Sequence, residues 1–329
     1  MKFFVLIIAI PSLSLMIISH FMVKSQYKNR ITFVNMPIGC LKMNYLLIIF
    51  SAVLLSLDFA LSKKYQAIEG TGLISGLKFN AFAGLFTAII FFAFSGFKVE
   101  FSLFSLILAL SMTLFCMIYS IIGFKILKLG GMALYSMFLM CGGMLLPYLF
   151  GVLFLNESLT LLRIIGVIMI LVAVTLFNKG KYDVKISLYL LCIAIFVLNG
   201  LVSIISKCHQ INTEFTSVST TVFVMYTGVG KFLFSMIAML FCKRDYKTES
   251  FSLKNTAFII IGSAFIGGAS YMFQLIGAKE LPATVLYPLV TGGSIIFSAL
   301  SGKIFFKEKL SCAQLISIAV CFVGTLLFL

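Results

Sequence analysis

One acid lies deep inside an apolar stretch: Asp58, in a run covering residues 43–62. A carboxylate at the bilayer centre costs on the order of 2.5–3.5 kcal/mol on the mildest insertion scale. It must therefore pair with a base, face a wet cavity, or carry a proton. Four lysines offer the complementary charge. Lys63 and Lys207 close two apolar runs, Lys78 lies several residues inside another, and Lys231 lies near the middle of its own. The first two can snorkel to an interface along their methylene stems, and the other two do so less easily. Lysines and one acid around a common cavity favour an anionic or zwitterionic solute. Structural pairing of Asp58 with Lys63 or Lys78 is the plainer alternative. Tyr119 and Tyr271 are candidate polar groups for the same cavity, with Asn80, Asn199 and Gln274 behind them.

These side chains sit in elements whose solvent is lipid. Of the 329 residues 61% are apolar and 11% charged, and the mean hydropathy is +1.16. Soluble domains are about half apolar and about a quarter charged, so a water-soluble globule is excluded. Apolar runs fall near 3–22, 43–62, 72–97, 101–124, 130–154, 160–178, 186–206, 216–242, 255–278, 282–304 and 311–329. They lack strict alternation and read as helices, because in hydrocarbon each backbone polar group needs a partner within its own element. Ten spans are expected from Met43 onward, and one doubtful segment precedes them. That segment follows Lys2, is interrupted by Pro11 and precedes Lys24, Lys28 and Arg30. Three readings stand for it: an extra span or interfacial helix, an extension from an early start codon with Met36 or Met43 as the later start, and a cleaved signal.

The net charge of +15 sits in short loops between apolar runs, so membrane orientation is its expected use and no nucleic-acid partner is expected. The eight cysteines form no CxxC and read as buried thiols. His20 and His209 are the only histidines, so neither a metal nor another cofactor is expected. No P-loop is present. An intramembrane enzyme would need a Ser–His pair, paired acids or a metal cluster, and none is legible, so the chain is not expected to be an enzyme.

The chain also repeats itself. Lys63 and Gln66 match Lys207 and Gln210 at an offset of 144, and Lys78-Phe79 matches Lys231-Phe232 at 153. Phe101-Ser102-Leu103 matches Phe251-Ser252-Leu253 at 150. Tyr119 matches Tyr271, and Leu134-Tyr135 matches Leu286-Tyr287, both at 152. Gly142-Gly143 matches Gly292-Gly293 at 150, and Gly151, Glu157 and Thr160 match Gly302, Glu308 and Ser311 at 151. The matches keep chain order, so a five-span unit is written twice. Five is odd, and the second copy enters the membrane from the opposite face, as in many secondary transporters. The expected fold is an all-α polytopic bundle. Residues 1–42 form an apolar segment with a basic linker, and 43–178 and 186–329 form two inverted five-helix repeats. Alternating-access transport of a small polar metabolite is the function this implies. A flippase for a lipid-linked headgroup and a passive pore are the rivals.

The segments Phe154-Leu155-Asn156-Glu157-Ser158-Leu159-Thr160 with Gly166, and Phe306-Lys307-Glu308-Lys309-Leu310-Ser311 with Gly324, follow a common pattern. With Asp58-Phe59-Ala60-Leu61-Ser62-Lys63 and Leu77-Lys78-Phe79, they resemble the EamA-like family of the drug/metabolite transporter superfamily over residues 43–329. The resemblance implies a multi-pass carrier of a prokaryotic plasma or inner membrane, acting on a small-molecule solute within the lipid bilayer, with homodimer formation left open. It also implies both ends of the ten-span unit in the cytoplasm. Counting loop Lys and Arg from Met43 opposes that placement. One face has fifteen and the other four, or eight once Lys24, Lys28, Arg30 and Lys42 are added.

Helix-end chemistry completes the reading. Thr160 and Ser311 are expected N-caps, with Ser311-x-x-Gln314 as a capping box. Glu157 and Glu308 precede those starts, where the dipole favours an anion, in a structural or a gating role. Gly142-Gly143 and Gly292-Gly293 mark either close helix crossings or an unwound binding segment.

Overall fold

Apolar runs of this length leave the backbone to satisfy itself, and all regular structure among the described residues is helical. The computed structural model describes residues 38–177, 186–241, 253–307 and 311–328, with Ser12 and Met16 as isolated positions. The candidate segment at 3–22, apart from those two positions, and Glu308 lie outside the described residues. The helices are α1 Ile38–Glu69, α2 Leu73–Phe94, α3 Leu103–Phe154, α4 Leu161–Phe177, α5 Ile186–Ile211, α6 Thr220–Phe241, α7 Leu253–Glu280, α8 Ala283–Phe306 and α9 Cys312–Leu326.

Helix α3 holds two of the expected spans. Its 52 residues are helical without a break, and if straight it would reach about 78 Å. It is not straight. A Cβ placed on Gly123 would collide with the ring of Tyr135. Twelve residues of straight helix rise about 18 Å, beyond the reach of a tyrosine. The helix therefore bends back between its two apolar arms, Leu103–Gly123 and Tyr135–Phe154.

Eight segments are long and apolar enough to cross a membrane, counting each arm of α3. Leu161–Leu176 and Cys312–Leu326 are apolar but shorter. At 15 residues α9 rises only about 22 Å, against about 30 Å of hydrocarbon. Both short helices start at the expected caps. Thr160 Oγ1 accepts from the Arg163 amide at 3.3 Å. Ser311 and Gln314 form the reciprocal capping box.

The outer surface fits acyl chains. Phe258 is 88% exposed, Ile186 77% and Phe241 76%. Exposure to water would forfeit about 1.5–3 kcal/mol for each such side chain. Together with the eight spans, this makes the chain a multi-pass membrane protein.

The closest packing runs between early and late helices: α1 on α7, α2 on α6, α3 on α5, and α4 on α9. Small residues permit it. A Cβ on Gly84 would lie 2.7 Å from the Gly228 carbonyl, and one on Gly228 would lie 2.8 Å from that of Gly84. The two glycine pairs singled out in sequence are helical throughout. Gly142 and Gly143 press on Phe196 and Asn199 of α5, while Gly292 and Gly293 press on Thr325 of α9 and Ala52 of α1. They serve helix crossings and are not unwound.

Candidate functional site

At the bundle centre four helices bring polar groups together. Helix α1 supplies Asp58, whose Oδ1 accepts a short hydrogen bond from Ser263 Oγ on α7. Gly267, one turn further along α7, leaves room for the carboxyl, since a Cβ there would lie 2.9 Å from Asp58 Oδ2. Helix α6 supplies Lys231, the twelfth of its 22 residues. Its ammonium interacts electrostatically with Asp58 and with Cys116 of α3. Lys231 is nevertheless exposed. Its neighbours lie on α1, α2 and α3.

Tyrosines line the same region. Tyr119, Tyr135 and Tyr271 all lie in electrostatic range of Cys116. Tyr271 Oη is 2.8 Å from Ser206 Oγ of α5 and 3.1 Å from Met112 Sδ of α3. Tyr287 of α8 donates to the Ser203 carbonyl at 2.6 Å. Cys116, Tyr119, Tyr135 and Tyr271 are all half-buried. The centre thus offers one cation, one carboxyl and several hydroxyls, which suit a solute bearing both charge and hydrogen-bonding groups.

Four of the seven sequence candidates meet here: Asp58, Lys231, Tyr119 and Tyr271. Three lie elsewhere. Lys63 is exposed near the end of α1, its ammonium 4.7 Å from the centre of the Phe306 ring. Lys78 is buried in the second turn of α2, far shallower than mid-helix Lys231, so the two lysines do not share a depth. Asp58 accordingly interacts with Lys231 and Ser263 among its described partners, in place of the pairing considered with Lys63 or Lys78. Asn199 ties α5 to α3, its Nδ2 donating to the Leu139 carbonyl at 2.7 Å, and Gln274 Nε2 donates within α7 to Ser270 Oγ at 3.2 Å. Asn80 is half-buried on α2. Sequence reasoning missed Ser263, Met112, Cys116, Tyr135 and Ser206 as site residues. Tyr135 and Ser206 carried a signal, their repeat matches to Tyr287 and Ser62.

Lys207 belongs to the end of the bundle. It is 2% exposed, and its Nζ donates to the carbonyls of Ala278 at 2.7 Å and Leu281 at 2.6 Å, capping the C-terminus of α7. Glu157 grips the other side of the same turn. Its Oε1 accepts from the Ala283 amide at 2.7 Å and its Oε2 from the Thr284 amide at 2.8 Å. Glu157 thus caps α8 instead of α4, whose start it precedes in sequence. Both charges match the helix dipoles they face.

More bonds tie this end together. Ser105 Oγ lies 2.9 Å from His209 Nε2 and accepts from the Val218 amide at 3.0 Å. His209 stacks on Phe223 at 3.7 Å. Glu100 Oε2 accepts from the Ser219 amide at 2.6 Å, and Ser102 Oγ donates to the Thr216 carbonyl at 2.5 Å. Among the described residues no three His, Cys, Asp or Glu side chains converge as a metal site.

No family model matches the chain, and no curated protein matches it. Solved structures do. One crystal structure, of a protein described only as such, aligns with a TM-score of 0.70 at 16% identity, covering 87% of this chain and 96% of its own. At that identity the likeness is one of fold.

Proposed function

We propose that the chain is a secondary transporter of the EamA-like type, moving a small anionic or zwitterionic metabolite across a prokaryotic plasma or inner membrane by alternating access. The observation that carries this reading is a carboxyl, Asp58, held inside the bundle by Ser263 from the other half, with mid-helix Lys231 in electrostatic range. A charge at that depth is costly and persists where it serves a solute or ion pathway.

The ordered repeat in the sequence supports the same reading, as two halves inverted in the membrane. Some of the helix contacts recur when the halves are exchanged. Contact of α1 with α7 answers α5 with α3, α2 with α7 answers α6 with α3, and α2–α6 and α4–α9 answer themselves. Finer pairs do likewise. Gly166 packs on Gly324, and its image at offset 151 is Ser317 bonded to Ala173. Asn156 and Lys307, the residues before Glu157 and Glu308, are both left-handed, at φ 52° and 53°. A central site between two such halves suits rocking of one half against the other.

Flux into liposomes, measured on a panel of anionic, zwitterionic and cationic metabolites, tests the function. Lys231→Gln is expected to lose transport with little loss of folded protein. Asp58→Asn is expected to remove the pH dependence of transport if Asp58 carries the proton. Full transport by both variants would remove the central charges from the mechanism.

A further inference from the structure

Away from the central site, three polar side chains meet where α1 and α4 begin and α3 ends. Arg163 stands in the first turn of α4, behind the Thr160 cap. Tyr45 lies just inside the apolar span that starts at Met43 of α1, and Tyr148 lies in the last two turns of α3. Val167, one turn beyond Arg163 on the same face of α4, shares an apolar cluster with Tyr148, and Tyr45 packs against that cluster. The Arg163 guanidinium accordingly lies in electrostatic range of both tyrosines. Arg163 and Tyr45 are half-buried.

This group is rich in donors and short of an acceptor. Tyr148 is 6% exposed, and its hydroxyl has no hydrogen-bond partner among the described residues. A buried hydroxyl in that condition has lost its water and gained nothing for it. Arg163 carries five N–H donors. Its hydrogen bond among the described residues is from Nη1 to the Ser158 carbonyl, at 3.2 Å. Glu157 lies in range of Tyr148, but its two oxygens are held by the α8 amides, and its charge is met by the α8 dipole and by Lys207. A cation and two phenols are thus left facing a missing anionic oxygen. Leu46, Leu149 and Leu162, each adjoining one of the three polar residues, are exposed. The site therefore joins a polar floor to a lipid-facing rim, at the depth where spans begin and headgroups lie.

We infer that Arg163, Tyr45 and Tyr148 hold the phosphodiester of a membrane phospholipid, whose acyl chains lie over Leu46, Leu149 and Leu162. The guanidinium fork matches two phosphate oxygens, and each phenol adds a donor. The exposed leucines select a lipid over free phosphate, because they offer a seat only to acyl chains. Helices α1 and α4 make little direct contact with each other, so a phosphate shared by Tyr45 and Arg163 bridges them. The site needs only the membrane bundle and is independent of what the centre carries.

The test titrates full-length, detergent-purified protein with phosphatidylglycerol in mixed micelles and follows the thermal midpoint. Diacylglycerol with the same chains and inorganic phosphate are run alongside. Phosphatidylglycerol is expected to raise the midpoint of the parent protein, and the other two to give no comparable rise. Arg163→Gln is expected to need about tenfold more lipid for half of that rise, with Arg163→Lys between it and the parent. Lys279→Gln, which removes an exposed base at the end of α7, is expected to respond as the parent does. Tyr148→Phe is expected to keep the parental midpoint without lipid, since its hydroxyl has no partner to lose, and to show a smaller rise with lipid. An equal rise with diacylglycerol would overturn the phosphate contact, and an equal rise with inorganic phosphate would overturn the lipid as occupant. A parental lipid response in Arg163→Gln and Tyr148→Phe would overturn the site. If Arg163→Gln fails to fold, the same response in Arg163→Lys and Tyr148→Phe overturns it. A lower midpoint of Tyr148→Phe without lipid would show that the protein already holds the hydroxyl, and would remove Tyr148 from the site.

Discussion

Lys207 and Lys63 hold matching places in the two halves, yet one is buried on two carbonyls and the other is exposed over an aromatic ring. At the Lys207 end, Glu157, Ser105, Ser102 and Glu100 each bond across from the first half to the second. Toward the Lys63 end, bonds between halves include Ser56 with Ser301 at 2.6 Å, Ser263 to Asp58, and Ser317 to the Ala173 carbonyl at 2.5 Å. The difference teaches that a lysine near the end of a span has no fixed role. It becomes structural where a neighbouring helix ends within its reach and leaves carbonyls unpaired.

The largest effect is expected from Lys207→Met, which leaves two buried helix-end carbonyls without their donor. Each such loss costs about 1–3 kcal/mol. The thermal midpoint of the detergent-purified protein should fall by several degrees, and a midpoint unchanged from the parent would break the contrast at its source. Glu157→Gln comes next. It keeps an acceptor but loses the charge facing the α8 dipole, for about 1 kcal/mol. Faster hydrogen exchange at the Ala283 and Thr284 amides would sharpen the assignment of that cap, and unchanged protection there would remove it. Ser311→Ala should cost about 0.5–2 kcal/mol by removing the α9 capping box, without altering exchange at the Lys207 end. Smallest of all is Lys63→Gln, expected within about 0.5 kcal/mol of the parent. If it matched Lys207→Met in thermal midpoint, the two ends would be equivalent and the comparison would fail.

Much of this architecture was legible before any coordinates. Apolar runs marked the helices because backbone in hydrocarbon has no other partner than itself. The Ser311 capping box was legible because it is local, three residues from donor to acceptor. The depth of Asp58 and Lys231 was legible from their places inside long apolar runs. Residues 160–178 and 311–329 read as full spans, and the helices there, α4 and α9, have 17 and 15 residues.

Which charge meets which partner was decided only in three dimensions. Lys63, Lys78, Lys207 and Lys231 look alike in sequence, each a lysine in or beside an apolar run. The crossings of α1, α6 and α7 carry Lys231 to Asp58, while the place where α7 ends carries Lys207 to Ala278 and Leu281. Glu157 looked bound to the helix it precedes, but the left-handed turn at Asn156 delivers it to α8. Composition and periodicity determine that a segment lies in the membrane and which local caps it has, because those depend on neighbours in the chain. Partners more than a hundred residues apart depend on helix crossing angle and on where each helix stops, and only the packed bundle sets those.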